Sequence, residues 1–369
     1  MKEKLIKNKS KIIFVFSETK WEELPRMRHY ITYQLARYYK VIYCELYVNG
    51  KLRKKHISNN LNIFSIGGYI RGINRIPFLK FLFDKYQIFI IKKLTSKYSE
   101  SERILFNFQF DFIDIYKINQ FKNCFLFIND DFINMNPYDS KSKKNSNHKK
   151  LVFSAQNSIR TFTSSFPLEN DLKPFSKNTT VITSGHDFNE KFNMPRLNNG
   201  LINICYLGFL RNSLEIDWLY KLSERDDLCL NFVGPIEEKS FFKSFSKKNV
   251  KFLAPRKGKK LQELISQFDV FIIPYIQRIV EKVTLPAKLN QYIACGRPIV
   301  TSKMKNLIEL PPKFVYQSNS QEEFISNIYK AREEDNKELY LKRIKYSKER
   351  NWDKVGEKLK KILTKDMKV

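Results

Sequence analysis

Glycine and proline are scarce in this chain of 369 residues, at 11 and 13, which excludes collagen-like and low-complexity architectures. Histidine occurs four times, at His29, His56, His148 and His186, all far apart. The five cysteines, Cys44, Cys124, Cys205, Cys229 and Cys295, form no CxxC pair and no cluster with histidine at metal spacing. A disulfide framework and a structural metal site are therefore not expected, and thiols lying in apolar runs should be buried and reduced. No run of 18 apolar residues occurs, so no membrane-spanning helix is expected. The basic opening MKEKLIKNKSK is followed only by IIFVF, too short for a secretory h-region and without a cleavage site, so a cytosolic first strand is expected. Acidic side chains are also few: 38 Asp and Glu face 67 Lys and Arg, for a formal charge of +29. Self-repulsion of that size calls for an anionic partner, whether nucleic acid, anionic lipid or phosphorylated substrate. Part of it has a plainer source in a composition rich in Lys, Asn and Ile throughout.

What is present describes a folded α/β protein. Hydrophobic residues make 42% and aromatics 14%, and the length suits two domains. Short β-branched apolar runs alternate with helical patterns, as in parallel α/β layers. Strands are predicted at residues 12–16, 41–44, 61–65, 104–107, 125–129, 161–164 and 180–183, with helices at 26–39 and 78–98. After an Asn-, Pro- and Gly-containing linker at 187–200, further strands are predicted at 203–207, 229–233, 251–253, 270–274 and 298–301. Helices near 215–223, 260–267 and 286–295 lie between them. A charged helical tail follows residue 321, with Trp352 as its large anchor. The segment KSKKNSNHKK at 141–150 has no apolar residue and is expected to be a mobile basic loop.

Ligands of open α/β sheets bind beyond the carboxyl ends of the strands. There the strand at 270–274 runs into Tyr275, and a helix is expected to start with Pro286 at its first position. Its free amides, its dipole and the charge of Lys288 suit a diphosphate. Gln291, one turn on, would offer an amide to a ribose or sugar hydroxyl. An ordinary capped helix carrying a solvated lysine accounts for the same residues.

The stretch PAKLNQYIACGRPIV, from Pro286, resembles the donor-site signature PxKlxEYlAxGkPvV of GT-B glycosyltransferases. Other blocks agree in order: ICYLGFLRN and NFVGP resemble the strands and glycine turns that open the donor domain, DVFIIPY the strand before the signature. LFINDDF, TFTSS and VITSGHDFNEKF resemble blocks of the first half. The resemblance covers about residues 10–365. It implies two Rossmann-like domains facing across a cleft: residues 1–190 binding acceptor, 200–349 binding a nucleotide sugar, and a helix at 350–369 packing back toward the first. Donor contacts would fall on Gly208, Arg211, Gly234, Tyr275, Pro286, Ala287, Lys288 and Gln291. For Arg211 a surface salt bridge is the alternative. The donor would be a UDP- or GDP-sugar, no further cofactor is implied, and related sequences build capsular, exopolysaccharide, O-antigen and teichuronic acid chains.

The sequence departs from the family where retaining members carry an E-x7-E pair. Those positions hold Val283 and Gln291, with Glu281 out of register. An inverting transfer is therefore favoured, which needs a carboxylate base. Asp131 and Asp130, after the strand at 125–129, are the candidates; a helix cap and a loop carboxylate are the plainer roles. Arg26, Arg28 and His29 are candidates for an acceptor phosphate, against a plain amphipathic helix with a basic edge. Residues 69–98 interleave lysines and arginines with large aromatics, like a helix lying on an anionic membrane, or like a core helix with a basic outer face. The expected partners are thus a nucleotide sugar, a lipid-linked oligosaccharide and the cytoplasmic face of the plasma membrane. The rivals are a GT-B nucleotide-sugar 2-epimerase and a basic nucleic-acid-binding protein, although no helix-turn-helix, RRM, OB or KH motif occurs.

Overall fold

The computed structural model describes residues 11–73, 76–134, 138–197, 199–238, 245, 247–277, 286–304, 307 and 310–367. They divide into two compact units, one of Met1–Thr183 with Trp352–Val369 and one of Ser184–Asn351. The terminal helix thus belongs to the first unit, and the division falls at Ser184, ahead of the 187–200 segment.

The first unit holds an eight-stranded sheet. Its strands are β1 (Ile12–Ser17), β2 (Lys40–Glu45), β3 (Arg53–Ser58), β4 (Leu61–Ser65), β5 (Arg103–Asn107), β6 (Asn123–Ile128), β7 (Arg160–Thr163) and β8 (Thr179–Val181). The order is β3-β4-β2-β1-β5-β6-β7-β8. Every pairing is parallel except the β3–β4 hairpin. Central strands of such a sheet are covered on both faces, which is why IIFVFS in β1 is buried at every position. β3, with the sequence RKKHIS, is an exposed edge strand whose charges blunt further pairing.

Helix α1 (Met27–Ala36) covers one face together with the terminal helix, Trp352–Asp366. Trp352 stacks on Tyr30 at 4.7 Å. Gly356 lies so close to Gln34 that an added Cβ would sit 2.3 Å from its Oε1, so a larger residue at the crossing would push the Gln34 amide aside. A bidentate pair from Arg160 to Asp366, at 2.6 and 3.0 Å, closes the far end. Helix α2 (Pro77–Thr95) buries only Phe83, Gln87, Ile91, Leu94 and Thr95. Phe78, Phe81 and Phe89 remain 67%, 55% and 64% exposed.

Residues 141–150 are not a loop. They form most of the helix Lys141–Gln156 (α4, after the short α3, Asp114–Lys117), capped by the Ser140 hydroxyl, which accepts from the Lys143 N–H. The apolar residues that hold this helix lie downstream at Leu151 and Ala155, and the Ser154 hydroxyl donates to the Phe110 carbonyl at 2.6 Å. The polar first turns are a solvated extension of an anchored helix. Composition without periodicity hid them.

The second unit is a six-stranded, all-parallel sheet of β9 (Ile202–Leu207), β10 (Leu228–Val233), β11 (Val250–Leu253), β12 (Val270–Ile273), β13 (Ile299–Ser302) and β14 (Val315–Ser318). Its order, β11-β10-β9-β12-β13-β14, is the 3-2-1-4-5-6 arrangement of a dinucleotide-binding sheet. Behind it lies a buried ion network: Arg343 pairs with Asp335 and donates to the carbonyls of Gly296 and Lys313. Arg196 reaches both Asp335 and Asp269. No helix among the described residues is long and apolar enough to cross a membrane.

Candidate functional site

In a 3-2-1-4-5-6 sheet the chain leaves the first and fourth strands in opposite directions and opens a crevice at their carboxyl ends. In the second unit these are β9 and β12, and the sequence-predicted donor residues gather there. β9 ends at Leu207 and turns at Gly208, whose φ is +142°. β10 ends at Val233 and turns at Gly234, with φ +149°. The Gly208 N–H donates to the Val233 carbonyl at 2.9 Å, and a Cβ at Gly234 would lie 2.1 Å from the Gly208 carbonyl oxygen. Two glycine turns thus touch backbone to backbone, which side chains would prevent. After β12, Tyr275 forms a bridge with Leu214, and the Ile276 N–H donates to the Ser213 carbonyl at 3.1 Å.

Lys288 enters this crevice from the helix Lys288–Ala294. Its ammonium lies 3.9 Å from the centre of the Tyr206 ring and 5.2 Å from that of Tyr275. A Cβ on Gly208 would come within 2.8 Å of it. Burial first, and the neighbouring Arg211 cation second, lower the Lys288 pKa to about 7. Among the described residues no carboxylate pairs with it. The helix is fixed by Tyr292, which stacks on Phe271 at 4.1 Å and accepts the Leu207 N–H at 2.7 Å, and by Asn290, which donates to the Ser184 carbonyl. Tyr292 thereby ties the Lys288 helix to the end of β9.

Pro286 is not the first helical residue. It stands ahead of the N-cap Ala287, and its carbonyl accepts the Leu289 N–H at 2.9 Å, so the helix proper is seven residues long and has no side-chain cap. So short a helix has a weak dipole, and the lysine carries most of the positive field. Gln291 is half-buried one turn beyond Lys288, with no hydrogen-bond partner for its side chain among the described residues. Arg211 is exposed in the loop after Gly208. Val283 and Glu281 lie outside the described residues. Tyr206 was not singled out by the sequence. Its place, two residues before a strand-ending glycine, was the available signal.

The first-unit candidates behave differently. Asp130 and Asp131 do follow β6, both partly exposed. The Asp131 carboxylate accepts the Asn134 N–H at 3.1 Å and its side-chain amide at 3.0 Å, the geometry of a local turn. Asp130 accepts from the Asn129 amide at 3.2 Å. His29, a candidate for the acceptor phosphate, is 2% exposed. Its Nδ1 accepts the Arg26 N–H at 3.0 Å, which fixes the proton on Nε2, and that donates to the Lys20 carbonyl at 3.1 Å. Burial lowers its pKa. Arg28 is buried too, donating to Thr19 Oγ1 at 2.7 Å with Glu18 at 3.6 Å. Arg26 is exposed and pairs with Glu23 at 3.2 Å. None of the three is a free cation for an acceptor phosphate.

Comparison with known proteins places this geometry. Residues 203–333 match the family described as Glycosyl transferases group 1. Over the whole chain the fold is that of a sucrose-phosphate synthase from Thermosynechococcus elongatus, with a TM-score of 0.70 at 13% identity, covering 96% of this chain and 98% of that one. It is also that of an E. coli trehalose-6-phosphate structure bound with UDP-2-fluoro glucose, with 0.69, 9%, 97% and 99% for the same quantities. Anabaena Alr3699/HepE in complex with UDP gives 0.63, 13%, 96% and 100%. The chain has the GT-B fold. A Bacillus subtilis (strain 168) protein, TuaH, named "Putative teichuronic acid biosynthesis glycosyltransferase", is 22% identical over 120 residues, which span 31% of this chain and 30% of that protein. The match thus takes in under a third of that relative.

Proposed function

We propose that the chain transfers a sugar from a UDP- or GDP-sugar to a lipid-linked glycan acceptor in the building of a bacterial cell-surface polysaccharide, with inversion at the anomeric carbon. The observation that carries the donor half is the Lys288 ammonium, held over Tyr206 against Gly208 at the β9/β12 switch point. A partly desolvated cation without a protein carboxylate among the described residues, beside two side-chain-free turns, suits a diphosphate. Arg211 adds charge, and Gln291 takes a ribose hydroxyl where retaining relatives carry an acid. Two of the three solved structures named above contain UDP or a UDP-sugar, which favours a nucleotide-sugar donor here.

In the reaction proposed, the acceptor oxygen forms a bond to the anomeric carbon as the bond to the diphosphate breaks. The electron pair leaves with the nucleotide, and Asp131 or Asp130 takes the hydroxyl proton. An Asp131→Asn variant with full turnover removes Asp131 from that role.

The membrane half rests on α2. Its exposed Phe78, Phe81 and Phe89 stand beside Lys80, Lys85, Lys92 and Lys93, the mixture that settles into an anionic interface. A protein that stays away from phosphatidylglycerol liposomes at low salt loses this part of the reading. The direct test of the donor site is thermal unfolding with UDP and GDP. One of them should raise the midpoint, and Lys288→Ala should weaken its binding about 10- to 100-fold, the worth of a charge-assisted contact. Unchanged affinity in that variant takes Lys288 out of the site.

A further inference from the structure

The first sheet has its own switch point. Its order reverses between β1 and β5, and beyond the carboxyl ends of β1, β2, β4 and β5 lies a cavity of about 380 Å³. Among its lining residues are Glu18 and Thr19 from the β1 loop, Tyr47 and Tyr69 from the loops after β2 and β4, and Gln109 and Asp111 from the loop after β5; Glu23 and Arg26 complete it. On a chain of charge +29 this lining carries three carboxylates and one guanidinium. The guanidinium is committed to Glu23. Arg28, behind the wall, is committed to Thr19 and Glu18. Asp111 is hydrogen-bonded by the neutral Gln109 amide and has no ion pair among the described residues.

Part of the wall is aromatic. Tyr47 and Tyr69 pack edge to face at 5.6 Å, and both lean on the buried Phe83, at 6.1 and 5.8 Å. Tyr47 holds φ +57°, a left-handed backbone uncommon for an aromatic residue, of the kind that collects at binding sites. Burial raises the Tyr47 pKa, and the negative charges of Asp111, Asp84 and Glu18 push it the same way. The phenol therefore stays a hydrogen-bond donor.

Carboxylates and a carboxamide beside aromatic rings suit sugar hydroxyls and C–H faces. They repel phosphate and carboxylate groups. We propose that this cavity binds an uncharged, hydroxyl-rich sugar unit, and that the glycan acceptor presents such a terminus here instead of a phosphorylated one. The acceptor role rests on the transferase reading; the binding itself does not.

Saturation-transfer NMR on the full chain, with methyl glycosides of glucose, galactose, mannose and N-acetylglucosamine and with glucose 6-phosphate, tests it. At least one neutral glycoside should bind, and glucose 6-phosphate should bind about tenfold more weakly or less. Asp111→Asn and Glu18→Gln, each checked for an unchanged circular dichroism spectrum and melting curve, should each lose binding several-fold. Lys288→Ala should keep it. The proposal is overturned if no neutral glycoside in the panel binds, if glucose 6-phosphate binds more tightly than its parent, or if both first-unit variants bind as wild type. UDP stabilisation that persists after such a failure leaves the donor reading intact; glycoside binding without any nucleotide stabilisation removes the donor reading and keeps the cavity.

Discussion

Two sheets in this chain reverse their strand order, and the two reversals carry opposite chemistry. At β9/β12 the loops are stripped of side chains by Gly208 and Gly234 and supplied with Lys288 and Arg211. At β1/β5 the loops keep their side chains, among them Glu18, Glu23, Asp111 and two tyrosines, with Arg26 paired to Glu23. The overall charge of +29 predicts the first and not the second. Net charge governs long-range attraction, but recognition is set by the handful of groups within hydrogen-bond reach. The backbone makes the difference as much as the charge does: turns without side chains let a diphosphate come close to the main chain and to the lysine, whereas sugar hydroxyls need side-chain acceptors.

The largest break in the comparison should come from Gly234→Ala. The added methyl carbon would sit 2.1 Å from the Gly208 carbonyl oxygen at a φ of +149°, so one of the two turns must move. Movement of Gly208 displaces the floor under the Lys288 ammonium. UDP binding, read by calorimetry, should fall by about 100-fold or more, while glycoside binding in the first unit stays as it was. If UDP affinity holds within about threefold, the contact between the two glycine turns is not what shapes the donor site.

A smaller effect follows from the Lys288 ammonium. Burial first and Arg211 second bring its pKa to about 7, so above that pH the empty site is increasingly neutral. A bound diphosphate favours the charged form and draws a proton back. UDP affinity should therefore decline as pH rises from about 7 to 9, by up to about tenfold per unit until the pKa of the bound state is reached. Calorimetry at pH 8 in two buffers of different ionisation enthalpy should register proton uptake, and none with Lys288→Met. Stability runs the other way: the lysine titrates at 10.5 when unfolded and about 7 when folded, so the empty protein binds fewer protons than its unfolded chain between those values. Its stability relative to Lys288→Met should rise with pH across that window.

How far the sequence disclosed these sites follows from how local each one is. The buried parallel strands were legible to within a residue or two because both their faces are apolar: 203–207 was predicted and Ile202–Leu207 is found. β3 was not, since RKKHIS is an exposed edge with no apolar face to mark it. β14, four residues of which only Tyr316 and Ser318 are buried, was too short for its period to register. The donor candidates came largely from one contiguous stretch and its flanking turns. Even there the contact between Gly208 and Gly234 had no sequence signal, because it joins turns after different strands, and the ring of Tyr206 beneath Lys288 was marked only by its place two residues before Gly208. Of the acidic cavity the sequence marked only Arg26. Its lining comes from loops between residues 18 and 111, and only the strand order brings them together. The charge of Arg26, Arg28 and His29 is visible in the sequence, but their pairing with Glu23, Thr19 and the main chain is not.

The smallest expected effect is therefore an informative one. Arg26→Ala removes the one guanidinium in the cavity wall. Its side chain is 58% exposed and its partner Glu23 38% exposed, so the pair contributes about 0–1 kcal/mol to stability. If the cavity takes a neutral sugar through Glu18, Asp111 and the tyrosines, glycoside affinity should stay within about twofold of wild type, because an arginine already satisfied by Glu23 gives the ligand little. Freed from Arg26, Glu23 makes the wall more negative and should disfavour glucose 6-phosphate further. A marked loss of glycoside binding would mean that Arg26 turns from Glu23 to the ligand, and the contrast in sign between the two switch points would then hold only for the empty protein.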